Sequence, residues 1–193
     1  MRFARAEAQR YGGDPSNLSL FGHSAGANFA SIVAFADPEI SKGCLVPSGS
    51  ILADNLVLFD GDWLIVGADW WDDLLREDPW VADAFTPWSY LEEADRIPVQ
   101  ILDSGDPELH RSAEGAGRWL ALRDPTGNFY RELEELGAFD DGVVTELEAQ
   151  RLLHGRLLSL RYQAAFHVLP DSSHTSLTEA GLQLLVAAIL APA

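Results

Sequence analysis

The sequence is poor in several features that mark particular classes of protein. A single cysteine, Cys44, stands among 193 residues, so no disulfide can form within the chain. No apolar run reaches the roughly 18 residues that a membrane-spanning helix needs. The amino-terminal residues lack the apolar segment of a signal peptide, which favours a cytoplasmic protein.

Positive charge is also scarce. Lysine and arginine together number 13 against 30 acidic residues, which gives a formal net charge of −17, and Lys42 is the only lysine. Such an excess of negative charge argues against nucleic acid and against an anionic membrane surface as partners. The acidic residues alternate with apolar ones along the chain, a pattern typical of the solvated surface of a folded domain.

The remaining composition is that of one soluble domain, with 47% hydrophobic and 22% charged residues. Short apolar runs typical of strands alternate with longer stretches of helical spacing. The expected strands are 18–21, 42–50, 97–102 and 163–169, and the expected helices include 2–11, 25–36 and 178–190. Strands separated by helices predict an α/β fold with a mostly parallel sheet of about four strands flanked by helices.

Two longer segments interrupt this alternation within the single domain predicted for 1–193. Residues 51–96 contain five of the six tryptophans and are predicted to form a Trp-rich helical insert. Residues 108–162 are predicted to form a second, mostly helical insert.

The segment "SLFGHSAGA" carries the most specific chemical signal. It contains a G-x-S-x-G pattern, in which Ser24 is flanked by Gly22, His23, Ala25 and Gly26. An apolar strand before the pattern and a helix of small residues after it predict a nucleophile elbow, with the serine hydroxyl raised above the sheet edge. A side chain at either glycine is expected to clash there, and the Ala25 amide is expected to point at a developing oxyanion. The alternative is an ordinary glycine-rich turn with a capping serine.

A serine nucleophile needs a base, and the chain has five histidines. His23 is adjacent to Ser24, and adjacent side chains in such a turn point apart. His110 and His154 fall in segments of helical pattern, and His167 falls inside the last expected strand. His174 lies in the loop after that strand. Parallel sheets place their functional sites in such loops, so His174 is the predicted base.

The third member of a triad is a carboxylate, and three candidates follow the strand predicted at 97–102. They are Asp103, Asp106 and Glu108, of which Asp106 is preferred and the others are alternatives. Each of the three is also compatible with a simple role in forming the turn.

These segments resemble the α/β-hydrolase superfamily, in particular carboxylesterases and hormone-sensitive-lipase-like esterases. The resemblance rests on "RYGGDPSNLSLFGHSAGA", "IPVQILDSGDPELHRSAEGAG" and "HVLPDSSH". It implies Asp106 as the acid, and it implies neither a metal nor an organic cofactor. The family's oxyanion loop and the first half of its sheet precede the elbow, and residues 1–21 contain no counterpart, so a truncated version of the fold is expected.

The resemblance also predicts partners. Without the neighbouring strand, residues Leu18 to Phe21 form an open apolar edge, which predicts a homodimer or another association through this edge. The expected substrate is a small ester of a short-chain carboxylic acid, with Trp63, Trp70 and Trp71 lining the acyl pocket. The alternatives are an amidase that uses the same triad and a non-catalytic remnant that binds a partner protein.

Overall fold

The structure is a computed structural model, and it describes residues 2–35, 53–61, 91–92, 94, 96–106, 110–112 and 143–190. These ranges contain helices and strands in the following order along the chain. They are α1 (Arg2–Glu7), a 3-10 helix (Ala8–Tyr11), β1 (Ser19–His23), α2 (Ala25–Phe35), β2 (Asn55–Phe59), β3 (Val99–Asp103), β4 (His110–Ser112), β5 (Val143–Thr145), α3 (Glu146–Ser159), β6 (Ala164–Val168) and α4 (Glu179–Leu190).

Four of the strands form a sheet in the order β1-β2-β3-β6, and all three pairings are parallel. The α/β prediction is therefore confirmed. The register pairs His23 with Phe59, Phe59 with Leu102, and Leu102 with His167. The carboxyl ends of the four strands consequently lie along one edge of the sheet, which is the edge where such folds place their sites.

Helices cover both faces of this sheet. On one face, α2 and α3 pack against inward-facing strand residues such as Leu56, Leu58 and Ile101. On the other face, α4 packs through Leu185 and Ala188 against the alternate strand residues, which include Val57 and Leu102. Every residue of β2 is buried, because β2 is an inner strand with helices on both sides.

Strand β2 corrects one prediction. Asn55–Phe59 lies inside the segment 51–96 that was predicted to be a helical insert, yet it forms an inner strand of the sheet. Five consecutive buried residues have no alternating pattern, so a fully buried strand and a helical segment look alike in sequence. The strand predicted at 42–50 lies outside the described residues, as do Trp63, Trp70 and Trp71.

The second predicted insert, 108–162, is only partly helical in the ranges described. Strands β4 and β5 pair with each other in antiparallel fashion, so His110 lies on a strand and not on a helix. Helix α3 follows and begins with a capping box, in which Thr145 accepts a hydrogen bond from the Glu148 backbone N–H and Glu148 accepts one from the Thr145 backbone N–H.

The amino-terminal helix forms where it is predicted, with its last turn as a 3-10 helix. Its two aromatic residues, Phe3 and Tyr11, are 74% and 76% exposed. Gly12 ends the segment in the left-handed conformation, with φ of 80°. No helix within the described ranges is both long enough and apolar enough to cross a lipid bilayer.

Candidate active site

The candidate site is built where β1 and β2 end. Ser24 is the first residue after β1, and Asp60 is the first residue after β2. The parallel hydrogen-bond ladder continues one step past both strands, because the Ser24 N–H donates to Phe59 O at 3.0 Å and the Asp60 N–H donates to Leu102 O at 3.0 Å. Backbone pairing thus brings the serine and this carboxylate to the same level of the sheet edge.

The backbone turns sharply at Ser24, between the end of β1 and the start of α2. Ser24 has φ of 54°, in the left-handed region that a residue with a side chain rarely adopts. Helix α2 begins at the next residue, Ala25, so the first N–H groups of the helix follow the serine directly. Strain of this kind persists only where the surrounding structure enforces it, and it occurs preferentially at functional sites.

The two flanking glycines are needed to different degrees. A Cβ atom on Gly22 would lie 2.3 Å from Gly26 O and 2.6 Å from Ala27 Cα, which no side chain can do. A Cβ atom on Gly26 would meet no atom of the described residues within 4 Å. The predicted clash is therefore real at Gly22, where the helix folds back over the strand, and the expectation for Gly26 is wrong.

His174 is presented to Ser24 by a tight turn. Ser173 and Ser176 exchange two backbone hydrogen bonds, of 2.8 and 3.2 Å, so that His174 and Thr175 form the tip of the turn. The His174 Nε2 atom lies 3.0 Å from Ser24 Oγ. The predicted nucleophile and the predicted base are thus within hydrogen-bond distance, although 150 positions separate them in the chain.

The carboxylate that faces the other nitrogen of His174 is Asp60. Its Oδ2 atom lies 3.3 Å from His174 Nδ1, and the Asp60 side chain is completely buried. Because a carboxylate can only accept, the proton at this contact belongs to Nδ1, which leaves the Nε2 lone pair free to accept the hydrogen bond from the Ser24 hydroxyl.

Asp60 is itself held firmly. Its Oδ1 atom accepts a hydrogen bond of 2.7 Å from the Ser104 N–H, and its backbone is in the left-handed region with φ of 42°. The next residue, Gly61, accepts a 3.2 Å hydrogen bond from the buried Gln150 side chain on α3. Both oxygens of the carboxylate therefore have donors, as the burial of a charged group requires.

Asp60, and not the predicted Asp106, is the carboxylate that the described contacts place at the His174 ring. Asp106 Oδ2 accepts a 3.4 Å hydrogen bond from the backbone N–H of His174, so it contacts the turn and not the ring nitrogen. The physical reason is the strand order: β2 lies between β1 and β3, so the residue after β2 is the nearer neighbour of Ser24. The alternative Glu108 lies outside the described residues.

Asp103, the other alternative, is a buried carboxylate at the end of β3 with a different environment. Burial raises its pKa to about 6, and the negative charge of Asp60 adds to this effect, while a 2.6 Å hydrogen bond from the Gly105 N–H acts against it. Its Oδ2 atom has no hydrogen-bond partner within the described part of the chain. Asp103 thus places a second titratable acid beside the site.

His23 was predicted to point away from the site, and the structure places it against the base. The His23 Nε2–H donates to His174 O at 2.9 Å, and the two imidazole rings lie 4.7 Å apart. On its other side the His23 ring stacks on Phe59 at 4.8 Å. One ligand atom from each of His23, Asp60 and His174 lies within 4.8 Å of the others, which is a donor set that could hold a metal ion.

A sequence signal for Asp60 existed and was weak. The segment "NLVLFDGD" contains a run of strand length followed by Asp60 and Gly61, just as "VQILDSGD" contains one followed by Asp103 and Gly105. Two similar segments offered two acids, and only the strand order selects between them.

Comparison with known proteins gives a likeness of fold. No family model matches the chain, and no curated protein matches it. Among solved structures, carboxyl esterase 2 from the mycorrhizal fungus Tuber melanosporum is 16% identical with a TM-score of 0.47, and the alignment covers 99% of this chain and 54% of that one. The truncated form of a carbohydrate esterase from gut microbiota is 14% identical with a TM-score of 0.57, covering 97% of this chain and 64% of that one.

The chain shares the fold of that carbohydrate esterase. It spans 54% of the length of the carboxyl esterase and 64% of the length of the carbohydrate esterase.

Proposed function

We propose that this chain is a serine hydrolase that cleaves esters of carboxylic acids. The observation that carries the proposal is the continuous contact from Ser24 Oγ to His174 Nε2, at 3.0 Å, and from His174 Nδ1 to Asp60 Oδ2, at 3.3 Å. Nucleophile, base and orienting carboxylate are the three parts that acyl transfer through an activated serine requires. The esterase fold of the carbohydrate esterase supports the same class of reaction by analogy.

In the proposed mechanism, Ser24 Oγ attacks the ester carbonyl carbon while its proton passes to His174 Nε2. The tetrahedral intermediate collapses as His174 returns that proton to the leaving alcohol, which leaves an acyl group on Ser24. Water then attacks the acyl carbon, gives its proton to His174, and releases the acid as Ser24 recovers its proton. Asp60 stabilises the imidazolium in both halves of the cycle and holds Nδ1 as the protonated nitrogen.

The Ala25 amide supplies one donor to the oxyanion in this proposal. It is the first N–H of α2 and directly follows the nucleophile, where the positive end of the helix dipole favours a developing negative charge. We propose that the substrates are esters with short acyl chains, following the resemblance to carboxylesterases and hormone-sensitive-lipase-like esterases. A series of nitrophenyl esters from acetate to decanoate tests that preference.

The central test is Ser24→Ala against the unchanged chain with nitrophenyl acetate or butyrate. We expect kcat to fall by about 10⁴-fold or more, because the residual rate after loss of the nucleophile comes only from binding and oxyanion contacts. Ser159→Ala, on an exposed serine at the end of α3, is the matched control and should retain full activity.

A fluorophosphonate probe gives a second measurement, since it labels an activated serine without turnover. Labelling of the unchanged chain and of Ser159→Ala, but not of Ser24→Ala, is the expected pattern. Equal rates for all three proteins, with no labelling, would contradict the proposal and favour a domain that only binds a partner. A matched ester and amide pair then separates the esterase from the amidase alternative.

A further inference from the structure

The site contains a second histidine that the proposed mechanism does not use. His23 faces the His174 ring at 4.7 Å, and one donor atom each from His23, His174 and Asp60 lies within 4.8 Å of the others. Two imidazoles and one carboxylate form a donor set that suits zinc and other divalent transition metals, whereas magnesium and calcium prefer sites made of oxygen alone.

The distances fit this kind of ion after a small adjustment. Bonds of about 2.0–2.1 Å in a tetrahedral site place neighbouring ligand atoms roughly 3.4 Å apart. Asp60 Oδ2 and His174 Nδ1 are already 3.3 Å apart, and Asp60 is fixed by burial and by the Ser104 N–H. The His23 donor atom lies within 4.8 Å of the other two, so the His23 ring must move toward them to complete the site.

The negative charge around the site also favours a bound metal cation. The ion would sit against the Asp60 carboxylate, with Asp103 and Asp106 on the adjoining β3 end, in a chain of net charge −17. A negative field of this kind raises the local concentration of cations at the site.

We propose that His23, Asp60 and His174 bind a divalent transition metal such as zinc, and that this binding reversibly switches off the hydrolase. The inhibitory half of this inference rests on the proposed function. The binding half rests on the three side chains alone.

The switch follows from the two nitrogens of His174. A metal shared with Asp60 takes the lone pair of Nδ1, so the ring proton must move to Nε2. Nε2 then carries a hydrogen toward Ser24 and can no longer accept the serine proton, so the general base is lost. Removal of the metal by a chelator restores the original tautomer and the activity.

The experiment measures binding and activity separately, on protein freed of metal with EDTA. Binding is followed by the visible absorption bands of Co²⁺, a probe for tetrahedral nitrogen and oxygen ligation, and by calorimetry with Zn²⁺. Activity is the hydrolysis of nitrophenyl butyrate at increasing Zn²⁺, with Mg²⁺ as the control ion. The variants are His23→Gln and, as the matched control, His167→Gln, which changes an exposed histidine on β6.

We expect Zn²⁺ to inhibit the unchanged chain and His167→Gln equally, with recovery on adding EDTA. For His23→Gln, the Zn²⁺ concentration that halves activity should rise by at least about tenfold, and the Co²⁺ bands should be lost, because one of three ligands is gone. Equal Zn²⁺ sensitivity of His23→Gln and the unchanged chain, activation by Zn²⁺, or no Co²⁺ binding would each overturn the proposal.

Two further measurements keep the outcomes distinct. If His23→Gln does not fold by circular dichroism, Asp60→Asn takes its place in the Co²⁺ assay. A rise in Tm of the unchanged chain with Zn²⁺, absent with Mg²⁺, also reports binding to the native state. If the metal-free chain neither hydrolyses esters nor reacts with a fluorophosphonate, the proposed function fails, and the Co²⁺ result still decides the metal site.

Discussion

At the scale of single residues, the identity of the carboxylate beside His174 is the main result. Asp60 contacts the ring nitrogen, whereas Asp106 contacts the backbone N–H of the same residue. Both lie near the histidine, but only a carboxylate at Nδ1 sets the tautomer that lets Nε2 act as a base.

This difference predicts opposite outcomes for two matched substitutions. Asp60→Asn should lower kcat by roughly 10⁴-fold, because an amide at Nδ1 favours the wrong tautomer and leaves the imidazolium without a counter-charge. Asp106→Asn should lose far less, since its carboxylate does not meet the ring. Steady-state kinetics on nitrophenyl butyrate measure kcat for both variants. A severe loss of kcat in Asp106→Asn alone would show that Asp106 is the catalytic acid, as the sequence resemblance implies.

Asp103 leads to a prediction about stability and pH. Its pKa is raised to about 6 in the folded chain, from an ordinary value of 3.8, so the folded state holds this proton more tightly than the unfolded state. The stability associated with this proton is present below about pH 4 and is lost as the pH rises through about 6. The unchanged chain therefore carries a penalty at neutral pH that Asp103→Asn removes.

The size of this effect follows from the shift. At roughly 1.4 kcal/mol for each pKa unit, Asp103→Asn should gain up to about 3 kcal/mol over the unchanged chain at pH 8 and lose that advantage near pH 4. Urea unfolding across this pH range measures it, with Asp171→Asn, on an exposed acid, as the control. An advantage that does not change with pH would mean that the proton on Asp103 is not the cause.

At the scale of elements, the turn between β1 and α2 shows how close packing determines a sequence pattern. Gly22 lies where the start of α2 folds back on the strand, and the space for its missing side chain is filled by Gly26 O and Ala27 Cα. A side chain on Gly26 would contact none of the described residues, and the φ of Gly26 lies outside the left-handed region. Close packing therefore requires a glycine at position 22, whereas it does not require one at position 26.

Alanine at each glycine tests this distinction. Gly22→Ala should destabilise the fold by roughly 1–3 kcal/mol or more, because backbone atoms must move apart to admit a Cβ. Gly26→Ala should be neutral or stabilising by up to about 1 kcal/mol, since alanine is the better helix former. Thermal unfolding compares them, and equal losses in both variants would show that the clash at Gly22 is not what governs the turn.

At the scale of the whole molecule, β1 is the outermost strand on its side of the sheet that the described residues form. Among the described strands, β1 pairs only with β2, and Phe21 on β1 is 41% exposed. The sequence predicted association through this edge, and that expectation stays a prediction. The net charge of −17 opposes self-association, so added salt should strengthen it by screening the repulsion.

Phe21→Lys tests the edge directly. A lysine on an exposed edge strand blocks pairing with a further strand, so this variant should remain monomeric where the unchanged chain forms a dimer. Light scattering at low and high salt gives the masses, and Phe29→Lys, at an exposed position of α2, is the control for added charge. A dimer of unchanged strength in Phe21→Lys would exclude this edge as the interface.

The sequence by itself determined the fold class, most element positions, and two members of the proposed triad. Short apolar runs between helical stretches predict a parallel sheet, and the glycine pattern around Ser24 together with the loop position of His174 locates both at one sheet edge. These signals are local, because strand burial, the tight turn and the start of α2 each restrict the residue types at neighbouring positions.

Only the tertiary structure decided which acid faces His174 and that His23 lies beside it. The order β1-β2-β3-β6 puts Asp60 between Ser24 and Asp103, a relation between strands that are far apart in the chain. The five buried residues of β2 have no periodicity that distinguishes a strand from a helix, so the sequence did not predict the strand that precedes Asp60. Strand order arises from the packing of the entire sheet, and no local pattern encodes it.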